Sequence, residues 1–286
     1  SKLPNQLVAP LDMAFPGTLP VVNKECVRKS LMMSLILNCK QPEYLEFDRK
    51  NYYYPDLPKG YQLTQFYNPI GINGEVEISV NGQTKKVGIH DIHLEEDTAS
   101  LDHYYDTSNL DYNRAGVPLL ELVTEPCLNS ADEAIAFLEH IKSIYQYTNI
   151  SECDSKKGQI RADVNVSIMD ENSTELGTKV EVKNVNSFDN IRKTINYEIE
   201  RQSKLKDEGR YDEVVQETRR WDDEKGEGYA MRAKEEANDY RYFPEPDLMP
   251  IRLSEEYIQN INNIVNNRTA ISRMIVINDY YRKLFK

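Results

Sequence analysis

A chain of 286 residues, 40% hydrophobic and 29% charged, has the composition of a globular protein with a substantial buried core. Its 35 Lys+Arg against 47 Asp+Glu leave a net charge of −12. That argues against a general nucleic-acid-coating protein, whose affinity comes from neutralising phosphates, but leaves room for one that touches a single RNA end. No apolar run reaches the roughly 20 residues that span a bilayer, and Ser1-Lys2-Leu3-Pro4 opens no apolar signal segment. Cys26, Cys39, Cys127 and Cys153 are too dispersed for a CxxC metal knuckle and suit a reducing compartment.

In chain order, Asn23 is placed to N-cap a helix running to about Asn38, with Val27, Leu31 and Leu35 along its apolar stripe. Val76, Ile78 and Val80 then alternate with polar residues, and Asn81-Gly82 supplies a type I′ hairpin turn. The return strand carries Val87 and Ile89 on one phase but Ile92 and Leu94 on the other. Such a slip predicts a bulge, a feature that re-aims side chains. Ser130 and Glu133 fit a capping box for a helix along which Ile135, Leu138, Ile141 and Tyr145 recur.

Ile160, Ala162, Val164, Val166 and Ile168 mark one face of a strand whose other face holds Arg161, Asp163, Asn165 and Ser167. Val180 and Val182 alternate with Lys179, Glu181 and Lys183, leading into Asn184-Val185-Asn186-Ser187. Pairing of the two strands through the polar loop 170–177 would gather acids, bases and amides on one sheet face. A helix from near Ser187 to about Gly209 should bury Phe188, Ile191, Ile195 and Ile199. Beyond Ser254 the spacing of Tyr257, Ile258, Ile261, Ile264 and Val265 is helical. The expected organisation is therefore a first domain over 1–250 and the beginning of a helical one over 251–286.

Two clusters could carry chemistry. On the strand face just described, the plainer alternative is a solvated surface laced with weak ion pairs. Asn165 and Ser167 count against it, being short polar ligands where a surface strand favours Thr or Lys. The second cluster is His93-Leu94-Glu95-Glu96-Asp97. Consecutive carboxylates repel one another, and a hard cation such as Mg²⁺ relieves that repulsion while keeping waters for phosphates; the plainer alternative is an exposed acidic turn. His90 and His93, separated by two residues, could reach one ion, but no further His or Cys supports zinc. There is no Walker A loop, GxGxxG fingerprint or protein-kinase signature, so any use of ATP rests on another scaffold.

Several longer segments then fall into a recognisable order. They are Phe15-Pro16-Gly17-Thr18-Leu19-Pro20-Val21-Val22-Asn23, the stretch from Phe47-Asp48-Arg49-Lys50-Asn51 to Lys59-Gly60-Tyr61-Gln62, and Leu94-Glu95-Glu96-Asp97. Asp111-Tyr112-Asn113-Arg114-Ala115-Gly116-Val117-Pro118-Leu119 and Glu125-Pro126 follow, then the two polar strands, Gln216-Glu217-Thr218-Arg219-Arg220, and Asp239-Tyr240-Arg241-Tyr242-Phe243-Pro244-Glu245-Pro246-Asp247-Leu248. Over about residues 10–250 the chain resembles the B subunit of the bacterial and organellar aspartyl/glutamyl-tRNA amidotransferase.

The resemblance implies an α+β fold, a cradle-like domain around an antiparallel sheet followed by a small helical domain. It implies ATP, Mg²⁺ and Glu-tRNA(Gln): the γ-carboxylate of the tRNA-bound Glu is phosphorylated, and ammonia displaces the phosphate to leave Gln. The amidase (glutaminase) partner, the A subunit, would supply the ammonia by hydrolysing glutamine. The small C subunit would clasp the other two together, in the cytoplasm of a bacterium or the matrix of a mitochondrion or plastid. Glu96, Asp163 and Glu181 match family positions that hold the divalent ion. Arg161 and Lys183 are the expected contacts to phosphate or activated acyl group, with Asn184 and Asn186 orienting the substrate.

The family pattern also has a strand with a Glu/His pair upstream of Ser1, and Met in place of Leu94. The competing readings are a non-catalytic tRNA-holding scaffold, the archaeal glutamate-specific paralogue with its inserted domain, and a metal-dependent hydrolase, which would leave Asp239 to Leu248 unexplained.

Overall fold

The computed structural model describes residues 3–185, 187–233 and 239–267. Its elements are α1 (Lys24–Ile36), β1 (Tyr44–Leu45), β2 (Asp48–Asn51), β3 (Tyr61–Thr64), β4 (Gly71–Val80), β5 (Gln83–Glu96), β6 (Ser100–Tyr104), β7 (Thr107–Asp111) and β8 (Pro118–Thr124) in the first half. There follow α2 (Ala131–Tyr147), β9 (Ala162–Val166), β10 (Val180–Val185), α3 (Phe188–Asp207), β11 (Glu217–Asp222), β12 (Glu227–Ala233), β13 (Phe243–Pro244) and β14 (Ile251–Arg252). A final helix, α4, covers 255–267. The fold is α+β, with antiparallel pairs predominating in the first half.

The chain divides into two compact units. One comprises Ser1–Val76, Gly88–Glu125 and Asn238–Lys286; the other Glu77–Val87 and Pro126–Ala237. The residue-250 division drawn from the sequence falls within the first unit. The last nineteen positions of the expected helical domain, 268–286, lie outside the described residues.

Local chemistry sets the helix ends as expected. The Asn23 side chain accepts from the N–H groups of Glu25 and Cys26 at the start of α1. Ser130 accepts from Glu133 N at 3.2 Å. The reciprocal half of the capping box is displaced, because the Glu133 carboxylate takes the N–H of Asn129 at 2.6 Å and the ammonium of Lys85 at 2.6 Å. Ser187 caps α3 through Asn190 N at 3.1 Å, and Gly209 at φ +70° terminates it. Asn81 and Gly82 both have positive φ, 50° and 77°, as a type I′ turn between β4 and β5 requires.

In the first unit α1 buries more than a simple stripe. Ser30 and Ser34 are buried with Val27, Leu31, Met32 and Met33, while Leu35 is half-buried. The small residues are there because β4 approaches the end of the helix closely. A Cβ on Gly74 would stand 2.6 Å from the Leu37 carbonyl oxygen, and Ser34 Oγ donates to Ile70 O at 3.1 Å. The same unit holds the sheet β13-β2-β3 and the pair β5-β8.

The second unit is built on the sheet β12-β11-β10-β9. β9 and β10 do pair through the loop 170–177, and are antiparallel, with Val182 opposite Val164 and Glu181 opposite Asn165. The apolar face of Val166, Val180, Val182 and Val185 packs with Ile191 and Ile195 of α3, Ala131 and Ile135 of α2, and Trp221. One departure from an antiparallel sheet occurs here: β10 and β11 run parallel, Glu181 beside Thr218. They can, because α3 supplies the crossover that a parallel pair needs. Glu198 and Gln202 of α3 are buried too, Gln202 donating to Glu198 at 2.9 Å and to Val166 O at 3.2 Å.

Candidate metal and acyl-activation residues

The acidic cluster follows from the slipped phase of β5. The register against β8 shifts between Ile89 and Asp91, the bulge that the hydrophobic pattern predicts. Beyond it, the period of two sends Asp91, His93 and Glu95 to one face and Leu94 and Glu96 to the other. Antiparallel pairing then sets Glu121 of β8 opposite His93.

The His93 ring nitrogens lie 2.6 Å from Asp91, 3.6 Å from Glu95 and 3.8 Å from Glu121. Glu95 also accepts from Thr64 Oγ1 at 2.9 Å and Gln62 Nε2 at 3.2 Å, with Lys50 Nζ at 3.5 Å. One ligand atom from each of His93, Glu95 and Glu121 falls within 4.8 Å of the others.

These groups shift each other's titration. Burial disfavours the imidazolium of His93, but hydrogen bonds to Asp91 and Glu95 and the charge of Glu121 outweigh it, so its pKa is pushed up to about 9. Burial also works against the Glu95 carboxylate, yet its hydrogen bond to His93 and the nearby Lys50 hold it below the usual range. Glu121 goes the other way: burial raises it, His93 opposes, and Glu95 adds to the rise. The set is an imidazolium standing among carboxylates. A divalent cation would replace that proton, leaving neutral His93 and two carboxylates as donors, a mixed set in which the carboxylates suit a hard ion and the imidazole a transition metal.

Glu96 has other partners. Its carboxylate is ion-paired with Lys59 and accepts Leu63 N at 2.9 Å. A metal ion bound by Glu96 would have to displace the Lys59 ammonium. His90 does not join His93: it is the residue of the bulge itself, 62% exposed, with Glu125 at 3.0 Å. Sequence reasoning missed Glu121 and Lys50. The signal for Glu121 was present, a lone carboxylate inside the otherwise apolar run Pro118-Leu119-Leu120-Glu121-Leu122-Val123.

The strand-face residues belong to the second unit. Lys183 Nζ lies 3.5 Å from Glu181 and 3.9 Å from Asp163, so the structure brings these three together. Glu181 also accepts from Thr218 Oγ1 at 2.8 Å. Desolvation raises the Asp163 pKa; Lys183 and Arg161 oppose the rise and Glu181 reinforces it.

A bulge explains why Val182 and Val185, three positions apart, are both buried. Lys183 and Asn184 together face the single position between Val164 and Ala162, which resets the phase. The backbone of Asn184 therefore sits at the bulge; its side chain and Asn186 lie outside the described residues. Arg161 is exposed, one residue before β9.

The chemistry-bearing groups of this α+β chain are thus an imidazole and two carboxylates on adjacent antiparallel strands of one unit and, separately, a charged strand face on the other; its sequence has no P-loop motif. Sequence comparison gives the family. Residues 1–259 match the family model of the GatB/GatE catalytic domain, and the chain belongs to that family. It is 50% identical over 259 residues to the B subunit of the aspartyl/glutamyl-tRNA(Asn/Gln) amidotransferase of Lachnoclostridium phytofermentans, covering 90% of this chain and 54% of that protein. The protein of the same name from a Thermoanaerobacter species is 49% identical over 278 residues, 97% of this chain and 58% of that one. That of Persephonella marina is 48% identical over 258 residues, covering 90% and 54%. The chain thus spans a little over half the length of these relatives. Among the described residues, no helix is long and apolar enough to cross a membrane.

Proposed function

We propose that this chain is the carboxylate-activating part of an ATP-dependent amidotransferase that converts Glu-tRNA(Gln) to Gln-tRNA(Gln), working with a glutaminase A subunit and a small C subunit. The observation that carries the reading is the His93–Glu95–Glu121 cluster in a chain about half identical to amidotransferase B subunits. The relatives' bacterial sources favour a bacterial cytoplasm, with an organellar matrix as the other setting.

A carboxylate is a poor electrophile because its leaving group would be oxide. ATP with Mg²⁺ supplies the phosphoryl group that makes a good one. Three donor atoms from His93, Glu95 and Glu121 of the first unit suit a divalent ion, as Glu96 would if Lys59 were displaced; Asp163 and Glu181 of the second unit are carried, by themselves, as the acidic positions to which the family pattern gives a ligand role. Lys183 and Arg161 offer cationic groups for the charge that develops on phosphate and acyl oxygens, and Asn184 offers an amide for orientation.

The test uses the full-length protein with its partner subunits, misacylated Glu-tRNA, ATP and Mg²⁺, with ammonium chloride replacing glutamine. Glu181→Gln and Asp163→Asn should abolish Gln-tRNA formation while the complex stays assembled. Wild-type turnover in both variants would remove the strand face from the chemistry and leave the chain a tRNA-holding scaffold.

A further inference from the structure

The segment Asp239 to Asp247 is absorbed by none of the chemistry above, yet it is held in place with unusual care. Arg241 is at φ +44°, a left-handed conformation that a long side chain adopts only under constraint. The constraint is Asn51. Its side-chain Nδ2 donates to the carbonyls of Tyr240 at 3.1 Å and Arg241 at 3.0 Å, and its backbone N–H reaches Tyr240 O at 3.0 Å. The effect is to direct the guanidinium outward, 83% exposed, with Asp239 as a loose neighbour at 3.4 Å. Tyr240 and Tyr242, on either side of it, fold back towards one another with ring centroids 5.7 Å apart.

A second element meets this one from the end of β3. Phe66 and Tyr67 are more than half exposed, at 54% and 55%. Their backbone N–H groups are both taken by one buried carboxylate, Asp48, at 2.8 and 3.0 Å. The Tyr67 hydroxyl donates to Tyr242 O at 3.1 Å. Phe66 and Tyr242 stack with centroids 4.0 Å apart and planes 6° from parallel. In this flat pair Phe66 is the exposed member and Tyr242 is half-buried, and a buried carboxylate, Asp48, fixes the Phe66 backbone from beneath.

The platform is continuous with the cation cluster of the same unit. Lys50 Nζ lies 5.2 Å from the Tyr240 ring centroid and 3.5 Å from Glu95. Burial, with Glu95, Tyr240 and Glu121 adding to it, pushes the Tyr242 hydroxyl up to about 12, so the phenol stays neutral there.

We propose that the Phe66–Tyr242 stack and Arg241 form a nucleotide-binding platform, the exposed face of Phe66 taking a purine base and the Arg241 guanidinium the adjoining phosphate. Flat stacking accepts any π-face, and an outward-facing guanidinium is the donor that matches phosphate. The inference deepens the amidotransferase reading and rests on it: the nucleotide comes either from ATP or from the unpaired 3′ end of the tRNA. Both place a purine and a phosphate beside a divalent cation.

The experiment measures binding by calorimetry to the full-length protein in its subunit complex, with MgCl₂ present. The two probes are ATP and a short RNA hairpin ending in CCA, the latter compared with one lacking the terminal adenosine. Phe66→Leu keeps the apolar volume and removes the π-face, and should weaken one probe by between about 5-fold and about 100-fold. Phe66→Trp should restore it, which a merely structural role for the side chain would not require. Arg241→Gln should weaken the same probe.

Loss confined to ATP assigns the platform to the free nucleotide. Loss of the preference for the terminal adenosine assigns it to the RNA end. If neither probe binds the wild type, or both bind all variants equally, the platform is not a nucleotide site and the proposal is overturned. Mn²⁺ titration of wild type and Glu121→Gln separates this failure from that of the wider reading: Mn²⁺ binding that Glu121→Gln loses, together with equal nucleotide binding by wild type and the Phe66 and Arg241 variants, overturns the platform alone, while Mn²⁺ binding unchanged in Glu121→Gln overturns the cation cluster.

Discussion

Besides Asn51 and Tyr67, which hold residues 240–242, an ion pair with Arg49 anchors the segment at Glu245, and breaking it from one side should be strongly destabilising. Arg49 grips Glu245 through two parallel bonds, Nε–Oε2 at 2.7 Å and Nη2–Oε1 at 2.8 Å, and Nη2 also reaches Asp247 at 3.0 Å. The Glu245 side chain is fully buried, Arg49 is 20% exposed, and the Arg49 guanidinium lies 4.1 Å from the Tyr61 ring centroid. The two residues are 196 positions apart, so the contact ties β13 to β2 across most of the chain. Arg49→Met would leave a buried carboxylate without its counter-ion, a loss of about 3–5 kcal/mol when such a pair is broken from one side. Since Arg49 keeps some contact with water, ~3 kcal/mol is the better expectation. The double change Arg49→Met with Glu245→Leu should recover most of it, because two apolar groups leave no uncompensated charge.

The assay is amide hydrogen exchange at the β2 residues Asp48–Asn51, where ~3 kcal/mol corresponds to exchange faster by about 100-fold. Trp221, the single tryptophan, belongs to the core of the second unit and gives an independent fluorescence control on the same sample. Protection at β2 that falls by less than about threefold would refute the reasoning, since the carboxylate would then be satisfied without Arg49.

Three further outcomes are expected. Despite burial, Arg49 and the Asp247 N–H hold the Glu245 carboxyl below its usual value, so its contribution is fully present above about pH 4.5 and is lost as pH falls through the lowered native value; urea midpoints between pH 7 and pH 3 for wild type and Glu245→Gln should converge at the acid end. Val182→Ala, at a site 1% exposed, should cost about 2–3 kcal/mol from lost burial plus the cavity, read from Trp221 fluorescence in urea, and an unchanged midpoint would mean that the β10 core face collapses freely. Ser130→Ala removes the oxygen that caps α2 and should lower stability by about 1 kcal/mol in the same measurement, with Ser130→Asp restoring it.

What the sequence determined by itself was local. Asn23, Ser130 and Ser187 announce helix starts because a short side-chain oxygen satisfies N–H groups only two or three residues away. Asn81-Gly82 announces its turn because few residues tolerate two successive positive φ values. The β5 bulge and the two-faced strands β9 and β10 were legible because a strand shows its neighbours in alternation, whatever it pairs with. The alternation and the acidic run offered Glu96, Asp163, Glu181, Lys183, Arg161 and Asn184 as candidates, and the family pattern gave them expected roles, but neither said which neighbours within this chain each would touch.

Only the tertiary structure decided the rest. Glu121 comes opposite His93 through the register of β5 on β8, while Glu96, next to Glu95, turns away to Lys59 because successive side chains alternate. Arg49 meets Glu245, Asp48 holds Phe66 and Tyr67, and Asn51 holds the backbone of Tyr240 and Arg241. Each of these joins one segment to another through side-chain reach and strand register. No spacing within a single segment encodes such a meeting, because it exists only once the apolar faces have packed and fixed which strands lie side by side.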